Sequence, residues 1–175
     1  HISPSTQFIG PGGDLSSWWG GFDAGADVSG LSYEVCVGTS PFGCQLLDFV
    51  PMASDTTWSD NGALPLQCGA TYHVAVRATN CAGLQRVVAS PGVKRCCDAP
   101  SDGTVELAGV RGWASSLEGL VVRWSGFVEP CAGMREYAVS VRDASGLVVW
   151  SGVGGLNSSL VLPASADAAV VDGGQ

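Results

Sequence analysis

The sequence predicts an all-β chain built as a tandem of one structural unit, and three observations predict it. Apolar and polar residues alternate over short stretches throughout, while no segment holds a 3.6-residue period for three turns. Trp19-Gly20-Gly21-Phe22 is followed eleven positions after Phe22 by Tyr33-Glu34-Val35-Cys36-Val37. Trp124-Ser125-Gly126-Phe127 is followed ten positions after Phe127 by Tyr137-Ala138-Val139-Ser140-Val141. A period of about a hundred residues is too long for a solenoid repeat and suits a small independent domain. Gly, Pro, Asp and Ser cluster between the alternating stretches, as at Thr39-Ser40-Pro41-Phe42-Gly43 and Asp60-Asn61-Gly62, and read as turns.

In chain order, strands are expected at Leu31 to Gly38, Tyr72 to Ala78, Gln85 to Val93, Thr104 to Leu107, Leu117 to Trp124, Arg135 to Arg142, Leu147 to Trp150 and Ser159 to Leu162. The Tyr72 strand shows the reason most plainly. Successive side chains of a strand point to opposite faces, so Tyr72, Val74 and Val76 share one side and His73 and Arg77 the other.

A chain of 175 residues could hold one large domain or two small ones, and the repeat decides for two. Hydrophobic residues make up 46%, enough for two modest cores, yet no apolar run approaches the ~20 residues that span a bilayer, so no direct membrane insertion is expected. His1-Ile2-Ser3-Pro4-Ser5 lacks the basic start and apolar stretch of a signal peptide, and the expectation is a mature or excerpted chain. The net charge is −8, and Lys94 is the lone lysine. Polyanion binding needs a clustered basic surface, which argues against nucleic acid as a partner. The acidity reads as solubility and self-repulsion between crowded copies.

Seven cysteines stand at 36, 44, 68, 81, 96, 97 and 131. Zinc sites need paired short spacings, whereas Cys36 and Cys44 enclose seven residues and Cys96 adjoins Cys97. Disulfides in an oxidising compartment are the better account, and the odd count leaves one cysteine free or paired outside the chain. Asn157-Ser158-Ser159 is an N-glycosylation sequon and fits secretion.

Trp19 in the second strand, Tyr33 opening the third, the stretch from Leu66 to Asn80 and its continuation Cys81-Ala82-Gly83-Leu84 resemble fibronectin type III modules. The likeness runs over most of residues 15 to 175. It implies Ig-like sandwiches of two antiparallel sheets that serve as spacers or binding modules, and it marks a fold far better than a function. It also implies that Trp19 and Trp124 are core residues of strand B. The expected division is 1–97 for the first domain, its first strand shortened, and 98–175 for the second. From Tyr33 to Gly69 is 36 residues and from Tyr137 to Gly174 is 37. On the family's pattern the second sandwich is therefore expected to be incomplete at its C-terminus, lacking strands F and G, as in an excerpt from a longer array.

The sandwich turns the cysteines into geometry. Cys36 and Cys44 flank a turn and are expected to close a nine-residue loop, worth about 2.5 kcal/mol. Cys68 and Cys81 stand at opposite ends of one strand, roughly 25 to 30 Å apart, and cannot bond. One of Cys96 and Cys97 should take Cys68. The other bridges to Cys131, or Cys131 pairs with a cysteine in a later loop. Cys81 is left unpaired or external.

Catalysis is not expected: the histidines are terminal His1 and outward-facing His73, with no nucleophile motif. No cofactor is implied. Asp23, Asp27, Asp98 and Asp102 could supply calcium ligands between domains, but solvated turn aspartate is the preferred reading. Trp18, Trp58, Trp113 and Trp150 have no assigned core place, and they are the candidates for a glycan or protein contact, with burial against a neighbour preferred. The expected protein is a structural repeat of an extracellular, secreted or ciliary-surface glycoprotein, acting as a disulfide-stapled spacer. Its expected partners are neighbouring repeats, a homo-assembly or extracellular matrix. The alternative is an adhesion module binding a glycan or receptor. Few lysines among abundant Gly, Ala, Val and Ser resemble the composition of green-algal mastigoneme or flagellar membrane glycoproteins.

Overall fold

Each Trp-x-x-Phe segment with its following tyrosine strand belongs to its own unit, His1–Asp98 or Ala99–Gln175. The computed structural model describes residues 1–22, 30–53, 55–109 and 116–166. The Asp23–Asp27 loop and Trp113 lie outside them. Both units are all-β and of sandwich type, built on facing sheets.

The first unit comprises β1 (Ile2–Pro4), β2 (Phe8–Ile9), β3 (Ser16–Trp19), β4 (Ser32–Gly38), β5 (Leu47–Ala53), β6 (Thr57–Ser59), β7 (Thr71–Thr79), β8 (Gln85–Ala89) and β9 (Val93–Arg95). One sheet runs β1-β3-β6, the other β2-β9-β7-β4-β5 with β8 also on β7. Alternation sends Val35 and Val37 of β4, Tyr72, Val74 and Val76 of β7, and Ile2, Leu15 and Trp19 from the opposite sheet into one buried cluster.

Three features depart from the expectation. The pairing is not wholly antiparallel, because β2 lies parallel to β9, with Phe8 opposite Lys94. The expected strand from Gln85 to Val93 breaks at Ser90-Pro91-Gly92. Pro91 has no N–H for the ladder, and Ser90 closes the gap on Val74: its N–H donates to the Val74 carbonyl at 2.8 Å, and its Oγ accepts from the Val74 N–H at 3.0 Å. Gly92 lets the chain pass close to β7 there: a Cβ would lie 2.5 Å from Thr71 Cγ2, and the threonine side chain would have to turn aside. β5 and β6 are strands that the alternation did not reveal. β5 contains Pro51, and its register against β4 shifts twice, which blurs a two-residue period.

The second unit comprises β10 (Thr104–Ala108), β11 (Val121–Ser125), β12 (Tyr137–Arg142), β13 (Val148–Gly155) and β14 (Ser159–Val161). Its sheets are β10-β11-β14 and β12-β13. Val122, Trp124, Leu162 and Ala166 are buried, and Tyr137, Val139 and Trp150 pack partly buried against them. The expected strand from Leu117 begins only at Val121, because Leu117 to Leu120 form a turn in which the Leu120 N–H donates to the Leu117 carbonyl at 3.2 Å.

Candidate functional site

The outer face of β4 explains the first disulfide. Tyr33, Val35 and Val37 face the core, so Cys36 faces outward opposite Ala75 of β7, yet both are fully buried. The loop between β4 and β5 folds back over them and is pinned by the Cys36–Cys44 bridge, Cα atoms 5.2 Å apart. Leu46 N–H donates to the Val37 carbonyl at 3.0 Å, and Gln45 Oε1 accepts from Thr39 N–H at 3.1 Å. Gly38 permits this approach, because a Cβ there would meet the Gly43 carbonyl oxygen at 2.3 Å. The bridge thus covers an outer sheet face that would otherwise be wet.

The second disulfide, Cys68–Cys97, joins the approach to β7 with the exit of β9 over a Cα separation of 5.6 Å. The same corner is held by the Gly69 N–H on the Arg95 carbonyl at 2.7 Å and the Arg95 N–H on the Ala70 carbonyl at 2.9 Å. Tyr72 adds a third tie: its buried phenol oxygen accepts from the Gln67 N–H at 2.6 Å. A tyrosine near the start of strand F bonding a few residues upstream is a feature of Ig-type sandwiches.

Cys96 and Cys131 are disulfide-bonded as well. Cys81 is the exposed free thiol, at the tip of the β7–β8 hairpin with its Sγ 3.6 Å from the Gly30 carbonyl. Asn80 shapes that tip, its Oδ1 accepting from the Ala82 and Leu84 N–H groups at 3.0 and 2.9 Å. So the six bridged cysteines carry the oxidation state of an extracellular or surface protein.

The tryptophans separate by burial. Trp19 is sealed in the core and edge-on to Tyr33 at 5.9 Å, with Phe22 5.7 Å from the same tyrosine. Trp124, Phe127 and Tyr137 repeat that cluster at 5.5 and 5.9 Å. Trp18 is 49% exposed and edge-on to His1 at 6.0 Å. Trp58 and Trp150, expected without a core place, instead pack partly buried against the first and second cores. Both are short of neighbours in sequence terms only: β6 and the long β13 that position them were not legible as strands of those lengths. Asn157 is exposed in the turn between β13 and β14, where its N–H donates to the Gly154 carbonyl at 3.2 Å.

Sequence reasoning missed two features. One is an ion pair on the outer face of the β4–β7 sheet: Arg77 Nε donates to Glu34 Oε2 at 2.6 Å and its guanidinium lies 4.0 Å over the Phe49 ring. The hydrogen bond that Arg77 donates to Glu34 raises the Arg77 pKa above its ordinary value. Glu34 and Arg77 are separated by 43 positions, and only the β4–β7 register brings them together. The other feature is an apolar cleft of about 230 Å³ in the second unit, lined by Val105, Val122, Trp124, Phe127, Tyr137 and Val139 among others. Among the described residues no group of three or more His, Cys, Asp or Glu side chains converges on a metal position, and Asp98 and Asp102 are exposed. No helix among them is long and apolar enough to cross a membrane.

No protein-family model matches the chain, and no curated protein matches it. Among solved structures, one described as "Structural insight into host cell surface retention of a 1.5-MDa bacterial ice-binding adhesin" is similar at a TM-score of 0.44 and 14% identity. The match covers 95% of this chain and 54% of that one, so the chain spans about half the length of that structure.

Proposed function

We propose that the chain is two successive fibronectin type III-like links of an extracellular surface or filament glycoprotein. The links act as stapled spacers and packing surfaces for neighbouring repeats, and they carry out no catalysis. The observation that carries this reading is the set of cysteine states. Cys68 is satisfied by Cys97, Cys96 and Cys131 are each oxidised, and Cys81 is a thiol. On this reading the bridges stiffen the links, which bear load in series. The tyrosine tie of Tyr72 and the β1-β3-β6 against β9-β7-β4-β5 sheet order support the family assignment. His73 supports a noncatalytic role, since its Nδ1 lies 3.1 Å from the Ser90 carbonyl as part of the β7 to β9 crossover. A glycan on Asn157 and a ciliary-surface parent of green-algal type complete the reading.

Non-reducing peptide mapping of the native protein tests it. A peptide pair linked through Cys68 and Cys97, with Cys96 and Cys131 each recovered in a disulfide, is the expected product. Cys96 or Cys131 recovered as a thiol overturns the stapled spacer. The half-exposed indole of Trp18 favours one second reading, adhesion to a glycan or receptor. Loss of capture on a glycan array by Trp18→Ala would support that reading, and unchanged binding of both proteins would remove it.

A further inference from the structure

The outer face of the β10-β11-β14 sheet carries a polar hollow beside the glycosylation sequon. Val122 and Trp124 turn into the core, so alternation sends Thr104, Glu106, Arg123 and Ser125 to the other side. Together with Ser158 they line a hollow of about 220 Å³. Thr104 Oγ1 lies 3.1 Å from Ser125 Oγ at one end of it. Glu106 stands directly opposite Arg123, yet among the described residues the two form no ion pair, so a carboxylate and a guanidinium both face whatever lies between them. Asn157 is exposed and immediately precedes Ser158, whose carbonyl accepts from the Trp124 N–H at 3.0 Å. A strand added at either edge would extend this sheet and leave its outer face bare. The first unit shows the same place without a sequon. Its Trp19 N–H donates to the Thr56 carbonyl at 3.0 Å as Trp124 does to Ser158, and Trp18 opposite Thr57 matches Arg123 opposite Ser159. Asp55 therefore holds the place of Asn157, and the turns agree: the Asp55 N–H donates to the Met52 carbonyl at 2.9 Å, the Asn157 N–H to the Gly154 carbonyl at 3.2 Å. Asp55-Thr56-Thr57 cannot accept a glycan, and there the outer face carries the Trp18 indole, edge-on to His1, in place of a guanidinium. Sequon and polar hollow occur in the same unit.

We propose that the first sugars of the glycan on Asn157 fold back into this hollow, so that the outer face of the second unit is a docking site for the unit's own glycan. The proposal rests on the glycan that the extracellular reading puts on Asn157. Sugar hydroxyls and an N-acetyl amide both donate and accept hydrogen bonds, which suits a wall offering two hydroxyls, a carboxylate and a guanidinium. From beside β11 at Asn157 to Glu106 on β10 is about 10 Å, two strand spacings, within reach of the first two sugars. The covalent tether makes the contact intramolecular, so bonds too weak to hold a free sugar suffice to hold this one. A face covered in this way is withdrawn from packing against neighbours, and the bare face around Trp18 of the first unit is left for them.

The test uses the 175-residue chain secreted by eukaryotic cells, with peptide mass spectrometry giving the state of Asn157. A glycosylated protein is expected in which the sugar N-acetyl protons show nuclear Overhauser contacts to the Thr104 and Arg123 side chains. Peptide N-glycosidase should release the glycan from the folded wild type at least about threefold more slowly than from Arg123→Ala or Glu106→Gln, each of which removes a hydrogen-bonding charge from the wall. Both substitutions fall at exposed positions, and all three proteins should release it at equal rates once denatured, which separates docking from a change in the glycan itself. The sugar contacts in the wild type decide the question even where a variant folds poorly. An unmodified Asn157 overturns this proposal together with the glycan of the proposed function. A glycosylated Asn157 whose sugars show no contact to this face, or equal release from the three folded proteins, overturns the docking alone and leaves that glycan in place.

Discussion

Val35 and Val37 in the first unit are wholly buried, while Val139 and Val141 at the same repeat positions of the second are only partly so. The side chains are the same, and both tryptophan-phenylalanine-tyrosine clusters are built to within half an ångström in ring spacing. What differs is the strand laid along the far edge, β7 in one case and none of the described residues in the other. Burial of a sheet residue is therefore set less by the residue than by whether a third strand closes over it. The tryptophan cluster forms without that strand, since Trp124 is only 5% exposed, but a sealed core does not.

Truncating the two tryptophans probes this comparison with the largest effect. Trp19→Ala should cost the first unit about 3–5 kcal/mol, since its cavity is walled on all sides. Trp124→Ala should cost the second unit about 2 kcal/mol, because neighbours around an open cleft can settle and solvent can enter. Urea unfolding followed through amide signals of each unit separates the two, and equal costs would show that the open edge does not weaken the second core. A smaller change isolates the strand itself. Tyr72→Phe removes the phenol that takes the Gln67 N–H and should cost the first unit about 1 kcal/mol with no change in the second; the Gln67 amide should then exchange faster with solvent. The smallest effect belongs to the β12–β13 hairpin. Asp143 Oδ1 accepts from Ser145 Oγ and from the Ser145 and Leu147 N–H groups at 2.6, 2.8 and 3.0 Å, and these bonds, led by the one from Ser145, lower its pKa. A carboxyl with a lowered folded pKa contributes stability above its unfolded value near about pH 4 and loses it as pH falls through the folded value. The hairpin should loosen below about pH 4 in the wild type and show no such step in Asp143→Ala, as read by the exchange of the Leu147 amide.

Much of this was legible in the chain. The aromatic repeat located both units, and alternation located β7 and the body of β4 because those strands are half-buried on one face, the condition under which a two-residue period appears. β5 escaped because Pro51 and two register shifts break its period. β8 and β9 were merged because Ser90-Pro91-Gly92 interrupts the ladder without turning the chain away from β7. Trp58 had no core place for a related reason: a tryptophan outside a recognised strand has no face assigned to it, whereas Trp150 stood at the end of an expected strand that runs on to Gly155, and both pack partly buried against a core. The Cys36–Cys44 pair was readable because eight positions across a turn leave little choice.

The sequence by itself determined the number of units, their β character and which cysteines stand at opposite ends of a strand, since these depend on local period and on distance along the chain. Tertiary structure alone decided that Cys97 takes Cys68 and that Arg77 meets both Glu34 and Phe49. It also decided that Trp124, Phe127 and Tyr137 line an apolar cleft in the second unit. Each of these rests on pairing between strands far apart in sequence, and a pattern read along one strand holds no information about which strand lies beside it.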